Sequence, residues 1–143
     1  MHKFLLGVVI AVLGAGLLAS SASAFDHHFN VLSKQTSSKR VGHTKFRFKD
    51  ELLNPKNRQD RVGRDRGECK FNIQTHNLKC HAVAHLNGKF AGSGDIRVRG
   101  DMGRGDHRLN VVGGSGQFNG VAGKLKIQTL NPRVDRLHFD LTL

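Results

Sequence analysis

At 143 residues, with 38% hydrophobic residues, 17 Gly, two Pro and nine Phe but neither Trp nor Tyr, the chain has the size and make-up of one small domain and not of a multi-domain enzyme. Its 23 Lys and Arg outnumber 11 Asp and Glu, a formal charge of +12. That balance makes polyanions natural partners and says nothing about fold.

The N-terminal segment reads as a signal peptide. Lys3 precedes an apolar run from Phe4 to Leu18, and small residues follow, ending Ala22-Ser23-Ala24. The run is shorter than the roughly 20 residues a membrane span needs. Residues 1–24 are therefore expected to be removed on export and residues 25–143 to form a single domain, secreted or periplasmic, with no transmembrane span. Cleavage removes Lys3 and no acid, leaving 119 residues with a charge of +11. The new N-terminus, Phe25-Asp26-His27, would offer an amine, two backbone amides and an imidazole, the planar four-nitrogen set that Cu(II) and Ni(II) prefer.

From Phe25 onward the apolar residues alternate with period two, and helical periodicity is almost absent. A first strand is expected near Phe29 to Leu32, and Phe46 and Phe48 alternate with Lys45, Arg47 and Lys49. Then come Cys69, Phe71 and Ile73, followed by Leu78, Cys80, Ala82, Ala84 and Leu86. Ile96 and Val98, Leu109 and Val111, and Leu125 and Ile127 mark three more strands, and Leu137, Phe139, Leu141 and Leu143 the last. Turn signals separate them at Asn54-Pro55-Lys56-Asn57, Asn87-Gly88, Gly103-Arg104-Gly105-Asp106 and Asn131-Pro132. About eight short antiparallel strands with one dry face and no covering helix point to an all-β fold. Closure into an eight-stranded antiparallel barrel removes the exposed edges, which favours it over a sandwich.

Cys69 and Cys80 are the only cysteines, and export places them where a disulfide persists. They can face each other across adjacent strands if the intervening loop is centred near residues 74 and 75. Two buried free thiols are the alternative.

Phe46-Arg47-Phe48-Lys49-Asp50, Val62-Gly63-Arg64-Asp65-Arg66-Gly67-Glu68-Cys69, Leu86-Asn87-Gly88 and the glycine-rich stretch from Val111 to Gly123 occur in an order that is recognisable. In that order the chain resembles the allene oxide cyclase and dirigent superfamily, especially its small secreted bacterial barrel domains. Gly113-Gly114-Ser115-Gly116-Gln117-Phe118 is similar to the family's Gly-Gly-Thr-Gly-x-Tyr segment, with Ser115 for Thr and Phe118 for Tyr. The resemblance runs from about Phe29 to Leu143. It implies a calycin-like barrel, often trimeric, whose apolar interior holds a small hydrophobic molecule and can steer its cyclisation or coupling as an isomerase or cyclase would. No cofactor is implied.

By strand parity Asp50 shares the inward face with Phe46 and Phe48, and His107 shares it with Leu109 and Val111, so these two are the candidate catalytic acid–base groups. Phe46, Phe48, Phe71, Phe90, Leu109 and Phe139 are the expected lining of a ligand pocket, though they could equally fill a solid core. The other inward positions are expected to carry no acid or base. Gly113, Gly114, Gly116, Gly120 and Gly123 fall short of the phosphate-loop, dinucleotide and nucleophile-elbow patterns and are read as a structural turn. Arg58, Arg61, Arg64 and Arg66, then Arg97, Arg99, Arg104 and Arg108, form an outward basic surface. A non-catalytic, envelope-associated protein that binds polyanions is the alternative function. Sequence-specific nucleic-acid readout is not expected without stacking Trp or Tyr or a helix to enter a groove.

Overall fold

The computed structural model describes residues 27–143. The expected leader, and Phe25 and Asp26 of the expected N-terminal metal site, lie outside the described residues. Eight strands follow in chain order: β1 (His28–Val41), β2 (Lys45–Leu53), β3 (Arg61–Phe71), β4 (Leu78–Asn87), β5 (Ser93–Met102), β6 (Arg108–Gly114), β7 (Ala122–Asn131) and β8 (Val134–Thr142). The only helical piece among the described residues is a 3-10 turn, Gly116–Phe118. Each strand pairs antiparallel with the next, and β8 returns to β1 with Val31 opposite Leu137, so the sheet is a closed barrel.

Alternation decides which side chains go inside. Phe29, Val31 and Ser33 of β1, Leu52 of β2, Cys80, Ala84 and Leu86 of β4, and Leu137, Phe139 and Leu141 of β8 are buried, while the residues between them face mainly outward. Several strands run beyond their apolar markers. β1 continues through the polar stretch from Ser33 to Val41, held by its pairing with β2 and bulged between Gln35 and Ser37. β3 begins at Arg61, where inward Gly63 and Gly67 hide the period from a hydrophobicity count. Gly67 leaves room for Phe48, because a Cβ there would lie 2.5 Å from the Phe48 ring. Two expected inward residues lie elsewhere. Ile73 is 68% exposed in the β3–β4 turn, and Leu143 is 79% exposed beyond the end of β8.

The two ends of the barrel differ. At one end the 3-10 turn after β6 carries Phe118 into the interior, where its ring centroid lies 6.4 Å from that of Phe29. Phe29 in turn stacks on Phe139 at 5.0 Å. Leu52, Val62, Leu86, Ala91, Ile96, Val121 and Leu141 complete this plug. Its approach is governed by Gly114, where a Cβ would collide with the carbonyl oxygens of Phe118 and Asp95, and by Gly116 at φ +61°. The other end, formed by the β1–β2, β3–β4, β5–β6 and β7–β8 connections, is open.

Candidate acid–base pocket

The open end leads into a cavity of about 260 Å³, near the lower limit of small-molecule pockets. Phe46, Phe48, Leu109, Leu125, Leu137 and Phe139 supply much of its apolar wall. The Cys69–Cys80 disulfide is part of the same wall. Its two residues are direct cross-strand partners with Cα atoms 4.1 Å apart. Their register follows from the turn between them. Asn72 Oδ1 accepts from the backbone N–H of Gln74 and Thr75, His76 takes φ +58°, and the chain reverses about residues 74 and 75.

Two of the six residues expected to line a pocket are absent from this wall. Phe71 is the last residue of β3, 39% exposed, and its ring meets His76 edge-on at the rim, because the barrel wall stops two residue pairs beyond the disulfide, at Phe71 opposite Leu78. Phe90 sits in the β4–β5 connection at the plugged end, half-buried against the core.

Asp50 and His107 both line the cavity, but differently. His107 is exposed in the β5–β6 loop, at the rim. Asp50 lies further in, half-buried, directly opposite Asp65 on the neighbouring strand. Asp65 is only 8% exposed. Ser33 Oγ donates to Asp50 Oδ2 at 2.8 Å and lies 3.5 Å from Asp65 Oδ2, so its single proton serves the first better. The Oδ1 atom of each aspartate is buried without a protein donor. The carboxyls are close enough for one, when protonated, to donate to the other.

Burial disfavours charge here. It pushes Asp65 up to about 8, with the neighbouring Asp50 charge adding to the effect. Burial also raises Asp50, against the hydrogen bonds from Ser33 and Asp65, and the negative charge of Asp135 raises it further. Two such carboxyls titrate as a unit, and at neutral pH the pair retains a proton. The arrangement thus presents a proton donor and a proton acceptor side by side on an apolar wall.

An interior free of further acids is therefore not what the barrel contains. Asp65 and Asp135 join Asp50 at the cavity wall, with Ser33, Gln35 and Thr129 beside them. Parity carried the signal for both acids. Asp65 is four residues before inward Cys69, and Asp135 two before inward Leu137, but each lies beyond the apolar run that marks its strand. Ser33 could be placed only with the true extent of β1. In the glycine turn, Gly113, Gly116, Gly120 and Gly123 all take positive φ. Among the described residues no group of three or more His, Cys, Asp or Glu could hold a metal ion.

No protein-family profile matches the chain. No curated protein matches it either. Among solved structures it is similar to a pyocyanin demethylase, at 19% identity and a TM-score of 0.63, over 80% of this chain and 99% of that one. It is also similar to two pterocarpan synthase dirigent proteins, PsPTS1 and GePTS1, each at 13% identity and a TM-score of 0.56. Those matches cover 80% of this chain and 91% and 81% of theirs. By fold, then, the chain is a closed antiparallel barrel of the allene oxide cyclase and dirigent type. Its particular features are the phenylalanine plug at one end and the paired aspartates at the other.

Proposed function

We propose that this barrel binds a small, mainly apolar molecule in the open half of its interior and that Asp50 and Asp65 exchange protons with it, steering a cyclisation or coupling. The observation that carries the reading is the carboxyl pair opposite each other on the wall of an apolar cavity. An enclosed ligand is held near one reactive conformation. The ionised carboxylate takes a proton from it while the protonated partner donates one to the oxygen on which charge develops. His107, at the exposed rim, is the second candidate group. The solved structures of this fold include proteins named for acting on pyocyanin and for making pterocarpan.

The mature chain is placed outside the cytoplasm, secreted or periplasmic, a reading that the Cys69–Cys80 bridge supports. Self-association, as a trimer, is proposed by resemblance. Native mass spectrometry of protein purified from the exported fraction, with organic extraction, tests these readings together. A stoichiometric apolar molecule is expected, lost when Ala82→Phe fills the cavity. Ligand-free protein that also binds no apolar probe would overturn the proposal, and the same spectrum reports the oligomer.

A second reading, adhesion to polyanions, is favoured by like charges placed directly opposite one another on the outer face. Lys45, Lys70 and Lys79 form one row across β2, β3 and β4, flanked by acids at its ends, where Lys45 lies 3.7 Å from Glu68 and Lys79 is opposite Asp101 of β5. Arg108 faces Lys126 across β6 and β7, with the neutral imidazole of His138 beyond it on β8. Partial burial, then the charges of Arg136 and Lys126, hold His138 below its ordinary value. Such rows weaken a sheet unless an anion lies across them.

A further inference from the structure

The chain has twice as many Lys and Arg as acids, yet it leaves its innermost carboxyls without a cation. Among the described residues the ion pairs are His28 with Asp140, Lys45 and Arg47 with Glu68, Arg61 with Glu51, and His85 with Asp95, all on the outer face or its margins. None involves Asp50, Asp65 or Asp135. We infer that the molecule bound in the cavity carries a delocalised organic cation, such as an N-alkylated heteroaromatic ring, seated against Asp50, Asp65 and Asp135. The inference rests on the reading of the cavity as a ligand site and names the class of ligand.

The carboxyls enter from three different strands, β2, β3 and β8. The two buried Oδ1 atoms of Asp50 and Asp65 have no protein donor, so nothing in the protein offsets the charge that ionisation places there. The remaining groups at the wall do not supply the missing charge. Ser33 and Gln35 of β1 and Thr129 of β7 are neutral, and β4 contributes Ala82 and Ala84. Arg133 in the β7–β8 turn and His107 in the β5–β6 loop reach the cavity from its exposed rim and form no ion pair with the three acids.

The apolar wall selects the kind of cation. A compact ammonium ion would lose strong hydration against a mostly hydrocarbon wall, whereas a ring that spreads its charge is weakly hydrated and fits against hydrocarbon. Phe46 and Phe48 alternate with Asp50 along the inward face of β2 and add aromatic surface, to which cations are attracted. A cation also lowers the cost of ionising the aspartate pair, so its binding weakens the hold on the shared proton and readies it for transfer.

Three probes of one size and different charge test this: N-methylquinolinium, 1-methylnaphthalene and 1-naphthoate, titrated calorimetrically into the whole mature protein. The expected order is cation, then neutral, then anion, with the cation roughly 10- to 100-fold tighter than its neutral isostere. At pH 7 the cation should release up to about one proton, read from titrations in buffers of different ionisation enthalpy. Asp65→Asn and Asp50→Asn should each collapse the cation-to-neutral ratio towards unity, while Asp140→Asn, on the outer face, should keep it. If the neutral probe binds as tightly as the cation, the inference fails and the cavity reading stands. If none of the three binds, both fail.

Discussion

At position 65 a carboxyl sits 8% exposed, opposite a second carboxyl and within reach of one serine hydroxyl. Its value near 8 in the folded chain, against an ordinary 3.8, means that the folded state holds the proton more tightly than the unfolded state does. The resulting stabilisation is whole below about pH 4 and is lost as pH rises through about 8. Asp65→Asn, which mimics the protonated form, should raise the melting temperature only slightly at pH 5, where the loss has just begun. At pH 9 it should raise stability by about 1–3 kcal/mol, because a buried unpaired charge has gone. Thermal denaturation of both proteins at the two pH values decides the matter, and an equal difference at pH 5 and pH 9 would remove this assignment. Asp50 was legible in the sequence because two phenylalanines precede it at the right spacing. Asp65 was not, because glycines occupy its inward neighbours at 63 and 67, and glycine leaves no hydrophobic mark.

Among the elements, β3 shows how far pattern reaches and where it stops. Its last residues alternate plainly, while its first half reads as a basic, glycine-containing loop. What makes that half a strand is partnership on both sides, with Leu52, Asp50 and Phe48 of β2 opposite Gly63, Asp65 and Gly67. The glycine at 67 is filled from across the sheet. Gly67→Ala would bring a Cβ to 2.5 Å from the Phe48 ring and 2.6 Å from the His81 carbonyl oxygen. It should cost about 1–3 kcal/mol through strain and displacement of Phe48 from the cavity wall. Urea denaturation measures the loss, and an unchanged midpoint would refute the packing argument. The end of β3 is held differently. The disulfide to β4 needed only a turn centred near residues 74 and 75, which the asparagine at 72 and the backbone at His76 provide.

On the scale of the whole molecule, a basic exterior surrounds an acidic recess, and the two should answer oppositely to salt. Polyanion binding to the outer face releases counterions and should weaken steeply between about 50 and 200 mM salt. Lys70→Glu, which breaks the row from Lys45 to Lys79, should elute earlier from heparin and be more stable at low salt by about 0.5–1 kcal/mol. A cationic probe in the cavity must pass the positive exterior, so salt that screens the exterior should leave its affinity unchanged or raise it. A common loss of both affinities with salt would contradict the division into an outer and an inner site. Period-two alternation, punctuated by turns and lacking helices, was enough by itself to determine an all-β chain of about eight strands, because a strand's two faces show in sequence as a period of two. It also determined the placement of Phe46, Phe48, Asp50, Leu109 and Phe139 on the inner face. Tertiary structure alone decided that Phe118 and Phe29 fill one end while the other stays open, and that Phe71 falls at the rim. It alone brought Ser33, Asp50, Asp65 and Asp135 together from four strands. The reason is physical. Parity is a local property of each strand, whereas the depth of a residue in a barrel and its neighbours there depend on the stagger between strands, which is fixed only when the sheet closes.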